Sequence, residues 1–409
     1  MIKKDYLSTP KGTRDILLEE CEAQNRIEER LKASFKSYGY SPVITPGIEY
    51  LDVYAEAPGN TGSEHMFKLV DNEGRILVLR PDSTAPIARL TATRLKNSEK
   101  PLRLYYNQRI YRQKNLYSGH NIETSQMGVE LIGANTIRAD LEMLQLAMEA
   151  LECCGLSDYR IELGHGGLCE LLISRLTPDE RVKEQLRLLI QAKNYPALSD
   201  YLDAMEQGEA VRVIKALPGL FGGREVFQKA AGLFQDKETK EIIEYMHALF
   251  DMLPQFGLGE KTMLDLGFVN ANDYYTGIIF QVYLQGSGEA VLAGGRYDRL
   301  LERFGENLPA VGFGVNIDLL TKNRLDQGLR EPAESPGLLV WGEPGFEIDG
   351  MKYAQSLRRT QGAAVENGLF ENLDQCRAYA LGRGISRIYT VGEAVQVYEP
   401  AAEKGGGAR

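Results

Sequence analysis

The sequence predicts an α+β fold: a mostly antiparallel sheet interrupted by a helical insertion and followed by a small α/β unit. Three observations predict it. Apolar and aromatic runs of strand length fall at 75–80, 103–112, 124–132 and 278–283. Helical periodicity occupies about 170–256, between two sets of strands. Beyond 337, short apolar runs alternate with helical patterns.

Length and charge are consistent with this. The 409 residues suit two or three domains. Hydrophobic content of 43% and charged content of 25% exclude disordered and collagen-like classes. The net charge, 47 − 57 = −10, tilts against a polyanionic partner, because phosphate backbones need basic surface. No apolar run is long enough to span a membrane. Met1 to Tyr6 runs into polar residues without an apolar stretch, so no signal peptide is expected. Five cysteines, an odd number with no C-x-x-C pair, point to reduced thiols and a cytoplasmic protein.

The elements follow in order. Ala23, Ile27, Leu31, Phe35 and Tyr38 form one apolar stripe of a first helix, which Gly39 closes. Ser41 to Pro46 reads as an extended edge segment, since proline cannot donate to a ladder. Residues 75–80 read as a buried strand. The runs 103–112 and 124–132, joined by the polar loop 113–121, read as an antiparallel hairpin. A helix at 137–154 and strands at 159–163, 263–266 and 278–283 complete the domain. Thr177-Pro178-Asp179-Glu180 reads as a capping box inside the insertion. The domain is expected over 1–326, a linker over 327–336, and the α/β unit over 337–409. The latter has strands at 337–341, 363–366 and 387–391 and helices at 349–361 and 373–382.

Several motifs carry chemistry. Arg80-Pro81-Asp82-Ser83-Thr84 offers a carboxylate and a hydroxyl to a ligand ammonium, or forms a turn with an Asx-type bond. Gln126, Gly128 and Glu130 share one strand face, with Gly128 leaving room between two polar side chains. Tyr274-Tyr275 either walls a flat pocket or fills a core edge. Ala293-Gly294-Gly295-Arg296-Tyr297-Asp298 reads as a tight turn into a helix, and Gly312 to Asp318 as a glycine-rich strand entering a helix. No phosphate-binding loop, dinucleotide fingerprint or histidine metal motif occurs, so no cofactor and no metal are expected.

Taken in order, these motifs resemble the class II aminoacyl-tRNA synthetase fold, and within it the histidyl-tRNA synthetase branch. The surroundings of Pro46 resemble its dimer-forming first motif, residues 103–133 the second and 309–320 the third. Asp273-Tyr274-Tyr275 and Gly294 to Asp298 resemble the two histidine-branch signatures. The resemblance implies an amino-acid pocket. Asp82, Thr84 and Gln126 would hold the α-ammonium, and Glu130 and Tyr275, with Tyr274, the imidazole nitrogens. It also implies that Arg109 is the second-motif arginine, facing either a ligand carboxylate or a surface partner.

The catalytic cations of that family are missing. The second-motif loop has Lys114 and no arginine, the third-motif arginine falls on Leu319, and the signature arginine on Asn270. Adenylate formation needs preorganised cations, each worth about 2.7–4 kcal/mol. Histidine retained without activation resembles the ATP phosphoribosyltransferase regulatory subunits. That resemblance implies a non-catalytic subunit, required for activity and histidine feedback in the first step of histidine biosynthesis. The implied partners are a short-form catalytic subunit and L-histidine as effector. A homodimer within a hetero-oligomer is implied, with no nucleic acid and no membrane. The rival is a divergent histidyl-tRNA synthetase.

Overall fold

A computed structural model describes residues 7–55, 66–113, 121–269, 274–330 and 337–400. The chain divides into two compact units, Met1–Arg330 and Glu331–Arg409. That boundary falls inside the expected linker, of which 331–336 lies outside the described residues.

One nine-stranded sheet organises the first unit. Its strands lie in the spatial order Ser41–Pro42, Leu102–Tyr111, Glu123–Ile132, Ala310–Asn316, Leu292–Arg296, Ile278–Leu284, Tyr159–His165, Thr262–Asp265 and Phe221–Gly222. Pairing is antiparallel except where Ser41–Pro42 meets Leu102–Tyr111 and Tyr159–His165 meets Thr262–Asp265. The proline-bearing strand is at an edge, where a missing donor costs nothing.

Alternation along the strands gives the sheet two different faces. On one, the helices Leu18–Ser37 and Ile137–Glu152 bury Ile27, Leu31, Phe35, Met143 and Leu144 against Tyr105, Met127, Val129 and Phe313. The Phe35 ring is 6.0 Å from both Tyr105 and Phe313. The first helix follows the expected stripe, and Gly39 ends it at φ +80°. On the other face, Leu104, Tyr106, Ile132 and Tyr297 pack against Ile87 of the helix Thr84–Thr93.

That face is short of side chains. Gly295 pairs with Gly312, which pairs with Glu130; Gly314 pairs with Gly128, which pairs with Tyr106. The Ala293 to Asp298 stretch is therefore not the expected turn. Its first four residues belong to the strand Leu292–Arg296, and the glycines mark close approach across the sheet.

Other expectations also need correction. The strand Ile76–Leu79 belongs to a separate three-stranded sheet with Ile48–Tyr50 and Lys68–Val70. Only its Val78 is fully buried, and Ile76 is 46% exposed. An apolar run alone does not reveal which partner covers it. In the insertion, Asp179 rather than Thr177 caps the helix Glu180–Gln191, accepting from the Arg181 amide at 2.9 Å. Thr177 instead accepts from the Asp179 amide at 3.1 Å.

The insertion runs through helices Gly166–Leu176, Glu180–Gln191, Tyr195–Asp203, Glu209–Ala216, Glu225–Ala231 and Lys237–Met252. A buried charge cluster ties its last helix to the sheet. Asp140, fully buried, accepts from Arg296 Nε at 2.9 Å and from the Tyr245 hydroxyl. Arg296 also donates to the Ala134 carbonyl at 3.0 Å and to Asp298 at 3.1 Å. Among the described residues, no helix is long and apolar enough to cross a membrane.

The second unit is a four-stranded sheet in the order Val365–Asn367, Leu338–Gly342, Arg387–Val391 and Val395–Tyr398. Helices Glu347–Gln361 and Leu373–Arg383 cover opposite faces of it, through Ala354 and Leu357 on one and Cys376 and Ala380 on the other. The last strand is an addition to the expected elements. Its Val395 and Val397 are exposed, so it lacks a clear burial period.

Breaking the buried pair leaves an uncompensated charge. Asp140→Ala should therefore cost about 3–5 kcal/mol in urea unfolding. The double replacement Asp140→Ala with Arg296→Met should recover part of that loss.

Candidate functional site

The site forms where the glycine-bearing strands meet, on the sheet face that carries the helix Thr84–Thr93. Glu130 extends across Gly312: a Cβ there would lie 2.0 Å from Glu130 Oε2. Tyr106 covers Gly128 in the same way, with its hydroxyl 2.5 Å from where a Cβ would be. Gln126 lies over Gly314, and the Tyr275 ring over Gly295. Gly128 thus makes room for Tyr106, not directly for a ligand.

Each polar group has a defined partner. The turn before the helix Thr84–Thr93 is anchored by the buried Arg80, which donates to the carbonyls of Thr45 at 2.9 Å and Arg109 at 2.8 Å. The next carboxylate, Asp82, accepts from the Ala85 amide at 3.1 Å. Asp82 thus makes the Asx-type turn and also lines the cavity. Thr84 donates its hydroxyl to Glu130 Oε1 at 2.8 Å, and Tyr297 donates to Glu130 Oε2. The Tyr106 hydroxyl donates to Gln126 Oε1 at 3.0 Å. Tyr274 and Tyr275 lie 4.8 Å apart, and the Tyr274 ring meets Tyr297 edge-on at 5.7 Å.

These groups surround a cavity of about 350 Å³. Two of its carboxyls are shifted by burial. Glu130 is 2% exposed, and burial pushes its carboxyl up to about 8, against the opposing effect of the two hydroxyl donors. Burial also raises Asp82, while its amide bonds and Arg112 pull the other way. A ligand ammonium would favour the charged form of both carboxyls.

The structure brings Asp82, Thr84, Gln126, Glu130, Tyr274 and Tyr275 together on this cavity. It does not bring Arg109 there. Strand alternation turns Tyr106 and Ile110 inward and Arg109 to the opposite face. There Arg109, with its side chain 54% exposed, pairs with Glu123 at 2.5 Å. Arg112 occupies the cavity wall instead, donating Nε to the Pro81 carbonyl at 2.7 Å. Tyr297 and Tyr106 are further site residues beyond those singled out. Counting by twos from Tyr106 reaches Arg112 and not Arg109, a signal present in the sequence.

A second cavity of about 450 Å³ adjoins the first and shares Asn121, Thr124, Glu289 and Asn316 with it. Leu319 lines this one. Its charged lining is Arg14 and Lys322 against Glu20, Glu289, Asp318 and Asp326, or 2 − 4 = −2. Arg14 is already bound to Glu20 at 2.7 and 2.5 Å. Such a lining repels a triphosphate. Asn270, Asp273 and Lys114 lie outside the described residues. Among the described residues, no cluster of metal-ligating side chains occurs.

The raised Glu130 carboxyl has a sign that can be checked. The folded state holds its proton up to about pH 8, whereas the unfolded chain releases it near 4.5. Its contribution to stability is therefore full below pH 4.5 and is lost as pH rises to about 8. The slope is at most ~1.4 kcal/mol per pH unit. Glu130→Gln should remove that slope from the wild-type pH–stability profile, measured by denaturant titration.

Comparison with known proteins agrees with this architecture. The family model described as Histidyl-tRNA synthetase matches residues 12–320. An ATP phosphoribosyltransferase regulatory subunit of Clostridium acetobutylicum is 37% identical over 400 residues, covering 97% of each chain. One from Bacillus cereus is 34% identical over 397 residues, covering 96% of this chain and 92% of the relative. A crystal structure titled as an ATP phosphoribosyltransferase regulatory subunit/histidyl-tRNA synthetase from Bacillus halodurans superposes with a TM-score of 0.79. It is 32% identical, and the match covers 91% of this chain and 96% of that one. A histidyl-tRNA synthetase from a Nostoc species shares the fold alone, with a TM-score of 0.76 at 20% identity and coverage of 96% and 94%. On its fold, its site and these relatives, the chain belongs to the ATP phosphoribosyltransferase regulatory subunit family, built on the class II synthetase fold of histidyl-tRNA synthetase.

Proposed function

We propose that this chain binds L-histidine in the cavity over Gly312 and transmits its presence to a short-form ATP phosphoribosyltransferase catalytic subunit. One observation carries the reading. A buried and a half-buried carboxyl, two tyrosines, a threonine and a glutamine converge on one small cavity, beside a second cavity whose lining is acidic. The first suits an amino acid, and the second does not suit the nucleotide that would activate it.

The chemistry matches histidine group by group. An α-ammonium finds Asp82, Thr84 and Gln126. An imidazole needs a partner at each nitrogen, and Glu130 with a tyrosine hydroxyl supplies a pair. Arg112, taking the place expected for Arg109, faces the α-carboxylate. Histidine then favours one arrangement of the assembly, a coupling of about 1–3 kcal/mol. The catalytic subunit performs the phosphoribosyl transfer in the cytoplasm, and this chain performs no chemistry of its own.

A homodimer is part of the same proposal. Ile44, Val70, Ile48, Ile76, Tyr50 and Leu69 are exposed around Pro46 and the three-stranded sheet. This is an apolar surface of the kind that protein interfaces cover. Ultracentrifugation should give a dimer, and Ile44→Asp with Ile48→Asp should give a monomer.

Calorimetry on the purified chain tests the site. Arg112→Ala and Glu130→Ala should each weaken histidine binding by about 1.5–3 kcal/mol, the worth of a charged hydrogen bond. Arg109→Ala should change it by less than about 0.5 kcal/mol, as for a surface residue. Unchanged affinity in Glu130→Ala would make that residue purely structural. Co-purification with a short-form catalytic subunit should succeed, and that subunit's inhibition by histidine should depend on this chain. Histidine-dependent exchange of pyrophosphate into ATP by this chain would overturn the reading in favour of a synthetase.

A further inference from the structure

The largest of the cavities described here is a different one. It measures about 610 Å³, against about 350 Å³ for the histidine cavity. Ligand cavities commonly span about 300–1,000 Å³. It lies behind Tyr274 and Tyr275, which line both spaces. Its far wall is the helix Gly166–Leu176, the first of the insertion.

We infer that this cavity is a second ligand site, taking a small organic anion with an apolar ring or chain, and that its occupancy alters histidine binding through the shared tyrosine pair. The coupling rests on the proposed histidine site; the cavity itself does not.

The lining argues for the ligand class. Leu171, Ile173 and Leu300 give it an apolar body. Its charged residues are Arg187, Arg299 and Arg303 against Glu170 and Glu302, or 3 − 2 = +1. Arg187 is bound to Glu170 at 2.6 Å and to Glu184 at 3.2 Å, so it serves the wall. Arg299 and Arg303 line the other side, at the start of and within the short 3-10 helix Leu300–Phe304. Guanidinium groups suit a carboxylate or a phosphate monoester.

The route to the histidine site is a series of direct contacts. The Tyr275 main chain packs on Gly166, where a Cβ would lie 2.7 Å from its carbonyl oxygen. Its ring touches Tyr274, Tyr274 touches Tyr297, and Tyr297 donates to Glu130. A ligand that presses on the tyrosine pair acts on the carboxyl placed to read the imidazole. By linkage, histidine must change that ligand's affinity by the same factor.

Phenyl phosphate is a suitable probe, with inorganic phosphate as its comparison, titrated calorimetrically into the full chain without histidine. Saturable binding below about 10 mM is expected, and at least about ten-fold weaker binding of inorganic phosphate. Leu171→Trp and, independently, Ser174→Trp should fill the space and abolish probe binding. No saturation, or binding that survives in both folded variants, overturns the site. Equal binding of inorganic phosphate overturns the apolar part of the ligand class. In a second arm, saturating probe should shift the histidine dissociation constant by about five-fold or more in the wild type and not in the variants. Probe binding with unchanged histidine affinity overturns the coupling. Failure of histidine to bind at all overturns the proposed function while leaving the first arm intact.

Discussion

The site depends on the absence of side chains at paired positions in the sheet. Gly312, Gly128, Gly314 and Gly295 each leave a gap that a neighbour fills by lying flat, respectively Glu130, Tyr106, Gln126 and Tyr275. A methyl group at Gly312 would meet the Glu130 carboxylate at 2.0 Å, so the carboxyl would have to move. Because Glu130 lies low, Thr84 and Tyr297 can both reach it. Because it is low and buried, its carboxyl is pushed up to about 8. Position, hydrogen bonding and electrostatics of the site thus follow from one steric fact.

In the proposed function, holding an amino acid and reacting it are separated by charge rather than by shape. Both cavities are present and they adjoin. The difference lies in what surrounds the second: Leu319 supplies no donor, and four carboxylates outnumber two cations. A fold can keep its cavities while losing the reaction, since catalysis needs charges aimed at the transition state and binding does not.

The insertion is not a free appendage to this arrangement. The Asp140–Arg296–Tyr245 cluster joins the helix Ile137–Glu152, the central strand Leu292–Arg296 and the last insertion helix in buried contact. Its first helix forms a wall of the cavity behind the tyrosine pair. The same strand that carries Arg296 carries Gly295 beneath Tyr275. Movement of the insertion relative to the sheet therefore acts on residues next to the site.

By itself the sequence determined most of the elements and their kind. The stripe from Ala23 to Phe35, the hairpin of 103–112 with 124–132 and the shared face of Gln126 and Glu130 all follow from local periodicity, which is a property of neighbours in the chain. Six residues that line the cavity were legible because their motifs are contiguous. Tertiary structure decided what depends on distant partners. It placed Arg112 rather than Arg109 on the cavity, because face parity is set by which strand pairs with which. It turned Gly294-Gly295 from a turn into a strand, because the group needing that space, the Tyr275 ring, comes from another segment. It brought Tyr297 to Glu130 across 167 positions of chain. No local pattern encodes such a contact, since its free energy comes from burial that exists only once the sheet is assembled.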